Sequence, residues 1–104
     1  MIRDSVREQL SIFGANGSAS GQGGRFTSID LFCGAGGIAE GLLHAGFDCL
    51  FANDINSDAL NTFRLNHPYV DTVVAPIEDI DASRVRRGLG LKKGELDCLA
   101  GGPP

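Results

Sequence analysis

The residue types able to do chemistry concentrate around one stretch, Phe26 to Gly37, which reads FTSIDLFCGAGG. Within and just after it, Gly34-Ala35-Gly36-Gly37-Ile38-Ala39 fits the pattern G-x-G-x-x-[G/A]. Glycines there let the backbone turn tightly, adopt positive φ and lie close to a ligand. Many plain turns match the same pattern, so a second feature matters. Asp54 falls twenty residues after Gly34, at the end of the next apolar run. A carboxylate in that place can accept hydrogen bonds from both hydroxyls of an adenosine ribose. Its structural alternative is a helix N-terminal charge that offsets the macrodipole. Turn, acid and spacing together point to an adenosine-containing cofactor, either a dinucleotide or S-adenosylmethionine. Asp30 bears on the choice. A pyrophosphate seated on a helix N-terminus would be opposed by a carboxylate in the strand leading to it. S-adenosylmethionine has no phosphate, and its sulfonium and α-amino group are positive. A carboxylate held by backbone N–H groups fits either ligand, so these residues alone leave both open.

The elements that must position these groups follow from periodicity. Phe26, Ile29, Leu31 and Phe32 form a short apolar run of strand type ahead of the glycines. After them Ile38, Leu42 and Ala45 share a helical face, with Ala39 and Leu43 beside it, and Gly46 is the stop. Cys49 to Ala52 is a second buried strand, followed by Asn53-Asp54. Asn56 or Ser57 can cap a second helix with Leu60 and Phe63 on its apolar face, ended by Asn66-His67-Pro68. Thr72 to Ala75 is a third strand. Ile80, Arg84 and Arg87 can form one face of a short helix, Lys92 to Gly94 a turn, and Leu96 to Ala100 a fourth strand. Strands alternating with helices predict an α/β fold with a parallel sheet and right-handed crossovers. Upstream, Ile2, Val6, Leu10 and Phe13 recur at helical spacing, and Gly14 to Gly24 holds five glycines and no large apolar side chain. Residues 1–25 are therefore expected to be a flexible segment and linker, and 26–104 the ordered domain.

Composition narrows the function classes. A net charge of −4 and a pI near 4.9 are unlike a free-standing nucleic-acid binder, so weak or no DNA binding is expected of this chain alone. Five of the nine basic residues, Arg84, Arg86, Arg87, Lys92 and Lys93, lie in ten positions, where a solvated loop is the default. Cys33, Cys49 and Cys98 have no paired spacing, and His44 and His67 are isolated, so no metal is expected. Free thiols, charges throughout Met1 to Leu10 and the lack of a long apolar run suggest an intracellular, cytoplasmic protein without a membrane segment.

Two motifs then carry a resemblance. Asp30-Leu31-Phe32-Cys33-Gly34-Ala35-Gly36-Gly37 resembles the first motif of the DNA cytosine methyltransferases that act at carbon 5, a family that includes restriction-modification enzymes. Leu99-Ala100-Gly101-Gly102-Pro103-Pro104 resembles the start of that family's catalytic motif, Gly-Gly-Pro-Pro-Cys-Gln. Both are in the family's order, with Asp54 between them, and the resemblance covers roughly residues 26–104. It implies a partial Rossmann-like domain, with the first four strands of a parallel sheet in the order 3-2-1-4, and S-adenosylmethionine as cofactor. It implies that Phe32 packs on the adenine, that Gly34, Gly36 and Gly37 admit the methionine part, that Asp54 holds the ribose and that Ile55 meets the adenine. Pro76 stands where the family usually has an acid for the adenine amino group. Ile77 still offers its N–H there, and Glu78 is a shifted acid. Pro103 and Pro104 would shape the loop presenting the nucleophile to double-stranded DNA, the full-length enzyme's partner. The family's catalytic cysteine would come immediately after Pro104, so no catalytic residue is expected in this chain, and the chain alone is expected to be inactive. The other readings are the nucleotide half of an NAD-dependent oxidoreductase and a non-enzymatic remnant.

Overall fold

A computed structural model describes residues 25–103. The expectations for the amino-terminal segment through residue 24 and for Pro104 lie outside those residues. The elements run β1 (Phe26–Leu31), α1 (Gly37–His44), β2 (Phe47–Asp54), α2 (Ser57–Asn66), β3 (Asp71–Val74), a 3-10 turn (Ile77–Asp79), α3 (Ala82–Gly88) and β4 (Cys98–Gly101). The four strands form one parallel sheet in the order β3-β2-β1-β4. Sequence chemistry explains the element ends. Gly46, at φ 99°, closes α1. Asn56 caps α2 by accepting the Ala59 N–H at 3.0 Å, and Asp81 caps α3 by accepting the Arg84 N–H at 3.1 Å.

β1 and β2 pair with one irregularity. Ser28 lies opposite Cys49 but Ile29 lies opposite Phe51, so Leu50 is an extra residue. Cys49 and Ala52 consequently serve one face of the sheet, while Leu50 and Phe51 both serve the other. Two small cores result. Ile29, Leu50, Phe51 and Leu89 pack together, with Val85, Ile80 and Leu96 against them. On the opposite face Cys33, Ala39, Ala52, Leu60 and Phe63 pack together, with Cys49 and Val70 beside them. Leu60 and Phe63 are fully buried, so α2 docks by the face that periodicity assigned to it.

Several boundaries and faces differ from expectation. β2 extends to Phe47 and Asp54, and β3 and β4 each lie slightly away from the predicted spans, since strand ends follow the ladder of the neighbour rather than local composition. In α1 the buried residue is Ala39, while Ile38 and Leu43 stay more than two-fifths exposed. A small side chain lets the helix backbone come close to the sheet, and that closeness sets which face turns inward. In α3 the core-facing residue is Val85, followed by Leu89. Ile80 packs from before the helix, and Arg84 and Arg87 are exposed rather than forming a buried face with it.

The amino ends of the strands are fastened by side chains. Asp97 Oδ2 accepts the Thr27 N–H at 2.8 Å and the Thr27 hydroxyl at 3.1 Å, tying β4 to β1. Arg25 Nε donates to Asp48 Oδ1 at 2.8 Å, and the Phe26 and Phe47 rings pack with centroids 5.4 Å apart, tilted by 38°. β4 is one edge of the described sheet and β3 the other, with Leu99 on β4 63% exposed.

Candidate functional site at the carboxyl ends of the strands

With the order β3-β2-β1-β4, the chain leaves β1 toward β2 on one side, and β4 lies on the other. The carboxyl ends of β1 and β4 therefore flank the switch point where open α/β sheets form crevices. The segment leaving β1 is bent hard. Phe32 has φ +54°, Gly34 +55° and Gly36 +104°. For a bulky residue such as Phe32, the left-handed region costs about 1 kcal/mol or more, so neighbouring groups must hold it there. They come from the end of β2. Asn53 Oδ1 accepts the Phe32 N–H at 3.2 Å, and the Asn53 carbonyl accepts the Cys33 N–H at 2.8 Å. Asp54 Oδ2 accepts the Gly34 N–H at 2.6 Å, and its Oδ1 accepts the Asn56 N–H at 3.2 Å. Asp54 is thus at once the helix-end acid and a part of the glycine turn. Each of its oxygens keeps further acceptor capacity.

The glycines do different work. A Cβ on Gly36 would lie 2.9 Å from the Phe63 ring and 3.1 Å from His67, so glycine is required there by packing and by φ together. His67 is buried against Phe63, ring centroids 4.8 Å apart, with its Nε2 3.6 Å from Glu40 in the first turn of α1. Gly37 has no atom within 4 Å of where a Cβ would sit, which leaves open space over the start of α1. Its first-turn N–H groups receive no side-chain cap.

Asp30 is fully buried, and neither carboxylate oxygen has a hydrogen-bond partner. Its ladder neighbours explain this: Ala52 on β2 and Ala100 on β4 lie opposite it and offer no side-chain donor. Burial pushes its carboxyl up from 3.8 to about 6, the Ala39 amide, near but outside hydrogen-bonding geometry, opposes the rise, and the charge of Asp54 adds to it. The Cys33 and Cys49 thiols are pushed up to about 12, first by burial and then by the Asp30 charge. Both are therefore protonated at neutral pH and poor nucleophiles.

The remaining predicted residues lie on the segments that follow β2, β3 and β4. Ile55 is 69% exposed directly after Asp54. Ile77 is half-buried and Glu78 exposed in the 3-10 turn after β3. Gly101 lies beside Phe32, since a Cβ there would be 3.1 Å from the Leu31 carbonyl and 3.6 Å from the Phe32 ring. Gly102 approaches Ile38, and Pro103 follows, exposed. Asp30, Phe32, Gly34, Gly36, Gly37 and Asp54 thus converge on one corner, with the start of the Gly-Gly-Pro loop alongside. Two contributors were missed by sequence reading. Asn53 carried a signal, a polar residue inside a buried run, whereas the packing of His67 over Gly36 left none. Among the described residues no group of His, Cys, Asp and Glu is placed to hold a metal, and no helix is long and apolar enough to cross a membrane.

Known proteins resemble this chain in sequence and fold. The family model for C-5 cytosine-specific DNA methylases matches residues 26–104. The type II methyltransferase M.AgeI of Thalassovita gelatinovora is 47% identical over 77 residues, which cover 74% of this chain and 18% of that protein. Mouse DNA (cytosine-5)-methyltransferase 1 is 32% identical over 88 residues, covering 77% of this chain and 5% of that protein. A crystal structure described as a DNA modification methyltransferase encoded within an Escherichia coli prophage superposes with a TM-score of 0.68 at 33% identity, covering 76% of this chain and 22% of that one. The chain spans about a fifth of the length of the type II relatives such as M.AgeI. It belongs to the C-5 cytosine-specific DNA methylase family.

Proposed function

We propose that residues 26–104 form the S-adenosylmethionine-binding part of an enzyme that methylates carbon 5 of cytosine in DNA. The observation that carries this reading is the union of turn and acid: Asp54 holds the Gly34 N–H while retaining acceptor capacity for a ribose. The site suits the cofactor in three further respects. Open space lies over Gly37, the α1 N-terminus is uncapped, and an unpartnered buried carboxylate, Asp30, lies beneath the turn. When bound, S-adenosylmethionine supplies an electrophilic methyl group on a positive sulfonium.

The chain's own residues bind and orient. Asp54 accepts from the ribose hydroxyls. Phe32 and Ile55 cover the adenine faces, and the Ile77 N–H serves its edge. Gly34, Gly36 and Gly37 let the methionine part lie on the backbone. Asp30, being fully buried, acts on that cationic end by its charge through the turn rather than by contact. The nucleophilic role is not met by Cys33 or Cys49, whose thiols stay protonated. Cytosine must also leave the duplex to react, which needs DNA contacts beyond this acidic chain. Residues 1–104 alone are therefore inactive, and double-stranded DNA is the partner of the whole enzyme.

Calorimetric titration with S-adenosylhomocysteine tests the reading. Asp54→Ala is expected to weaken binding about ten- to a hundred-fold, from loss of hydrogen bonds worth about 1.5–3 kcal/mol. Glu78→Ala is expected to cost less. Equal losses, or binding of NAD instead, would overturn the assignment. A tritiated-methyl assay on cytosine-containing duplex DNA is expected to stay at background with the 104-residue chain alone.

A further inference from the structure

Asn53 is 1% exposed, and its side chain satisfies two different segments at once. Its Oδ1 accepts the N–H of Phe32, the strained residue leaving β1, at 3.2 Å. Its Nδ2 donates to the carbonyl of Ala75, just past β3, at 3.0 Å. Ala75 is fixed a second time, because its own N–H donates to the Asp54 carbonyl at 3.0 Å. Pro76, at φ −65°, then carries the chain stiffly into the Ile77–Asp79 turn. One carboxamide therefore bridges the loop bearing Phe32 and the loop bearing Ile77, beside the backbone bonds of Cys33 and Ala75 to the end of β2. Neither loop touches the other through any regular ladder, since β1 and β3 are separated by β2.

We propose that Asn53 is a positioning residue that fixes the separation between Phe32, on an adenine face, and the Ile77 N–H, at the adenine edge, without touching the ligand. The inference rests on the cofactor reading above. It deepens that reading, because the acid that holds the ribose and the amide that spaces the adenine contacts are consecutive residues of one strand end. An oxygen facing Phe32 and a nitrogen facing Ala75 are both needed. A carboxylate offers the first and repels the second, whereas a protonated carboxyl can again accept on one side and donate on the other.

The test is calorimetric titration of the 104-residue chain with adenosine at about pH 8 and about pH 5, each variant compared with wild type at the same pH so that Asp30 cancels. Asn53→Ala is expected to weaken adenosine binding about ten-fold at both values. Asn53→Asp is expected to be equally weak at the higher pH and to recover toward wild type at the lower. A side chain that only fills space would not give this recovery. Affinity unchanged in Asn53→Ala, or no recovery in Asn53→Asp, overturns the inference. Wild type failing to bind adenosine overturns the cofactor reading itself, and so is distinguishable. Where Asn53→Ala does not fold, the pair of pH values for Asn53→Asp decides alone.

Discussion

The two ends of β1 are built on different principles. At the amino end Thr27 and Arg25 have short, direct partners in Asp97 and Asp48, and only the Ser28 hydroxyl beside them is buried without one. The backbone there is ordinary extended strand. At the carboxyl end the backbone is left-handed at Phe32, Gly34 and Gly36, a carboxylate is buried without a partner, and helix N–H groups stay uncapped. Strain and unmet polarity gather at the end where a ligand would supply what is missing, and the opposite end compensates with well-made contacts. The difference teaches where stability and binding can be separated by mutation.

The largest effect is expected at Gly36. Gly36→Ala places a Cβ against Phe63 and His67 and imposes a side chain on φ +104°, for a loss of about 2–5 kcal/mol in urea unfolding. A near-neutral result would mean that α2 yields easily, and the two ends would then not differ in rigidity. Next is Asp97→Ala, which strips the partner from the buried Thr27 N–H. The expected cost is about 1–3 kcal/mol of stability, with unchanged affinity for S-adenosylhomocysteine. An affinity loss at constant stability would break the division between ends.

Asp30 gives a pH signature. Its folded-state value near 6 lies above the unfolded 3.8, so the native state holds this proton more tightly. The stability it contributes is full below about 3.8 and is lost as pH rises through about 6. Relative to wild type, Asp30→Asn should gain about 1–2 kcal/mol at neutral pH, less than the shift alone implies because the new amide also lacks partners. Unfolding midpoints across this range should diverge between the two proteins, and parallel curves would remove the unpartnered carboxylate from the comparison. The smallest effect is Gly41→Ala, in open space on α1, expected to stabilise by about 0.5–1 kcal/mol. It is the same chemical change as at Gly36, with the opposite sign.

Much of this was legible in the residues because it is local. Gly46 as a stop, Asn56 as a cap and the Leu60–Phe63 face depend on neighbours within a few positions. The corner itself was legible because Gly34 and Asp54 announce themselves by type and spacing. What was hidden depends on contacts across the fold. Asn53 looked like a strand end until Phe32 and Ala75 came to either side of it. Asp30 stands in the sequence as a carboxylate near the ligand, and its complete burial between Ala52 and Ala100 follows from strand pairing that no single stretch encodes. The inward face of α1 was set by how closely Ala39 lets the helix approach.

The irregular pairing at Leu50 has a further consequence for chain length. β2 holds one residue more than β1 can match, and the surplus is taken up at a single point. Upstream of it Cys49, and downstream of it Ala52, stay in phase with β1. A chain shortened by Leu50 would form a plain ladder and still deliver Asn53 and Asp54 to the same place. A chain lengthened by one residue after Phe51 would have nowhere to store the excess, and would turn Asp54 away from Gly34. The register of the strand thus survives a deletion, which still empties the place of Leu50 in the core, and does not survive an insertion, an asymmetry of length written into the phase of its pleat.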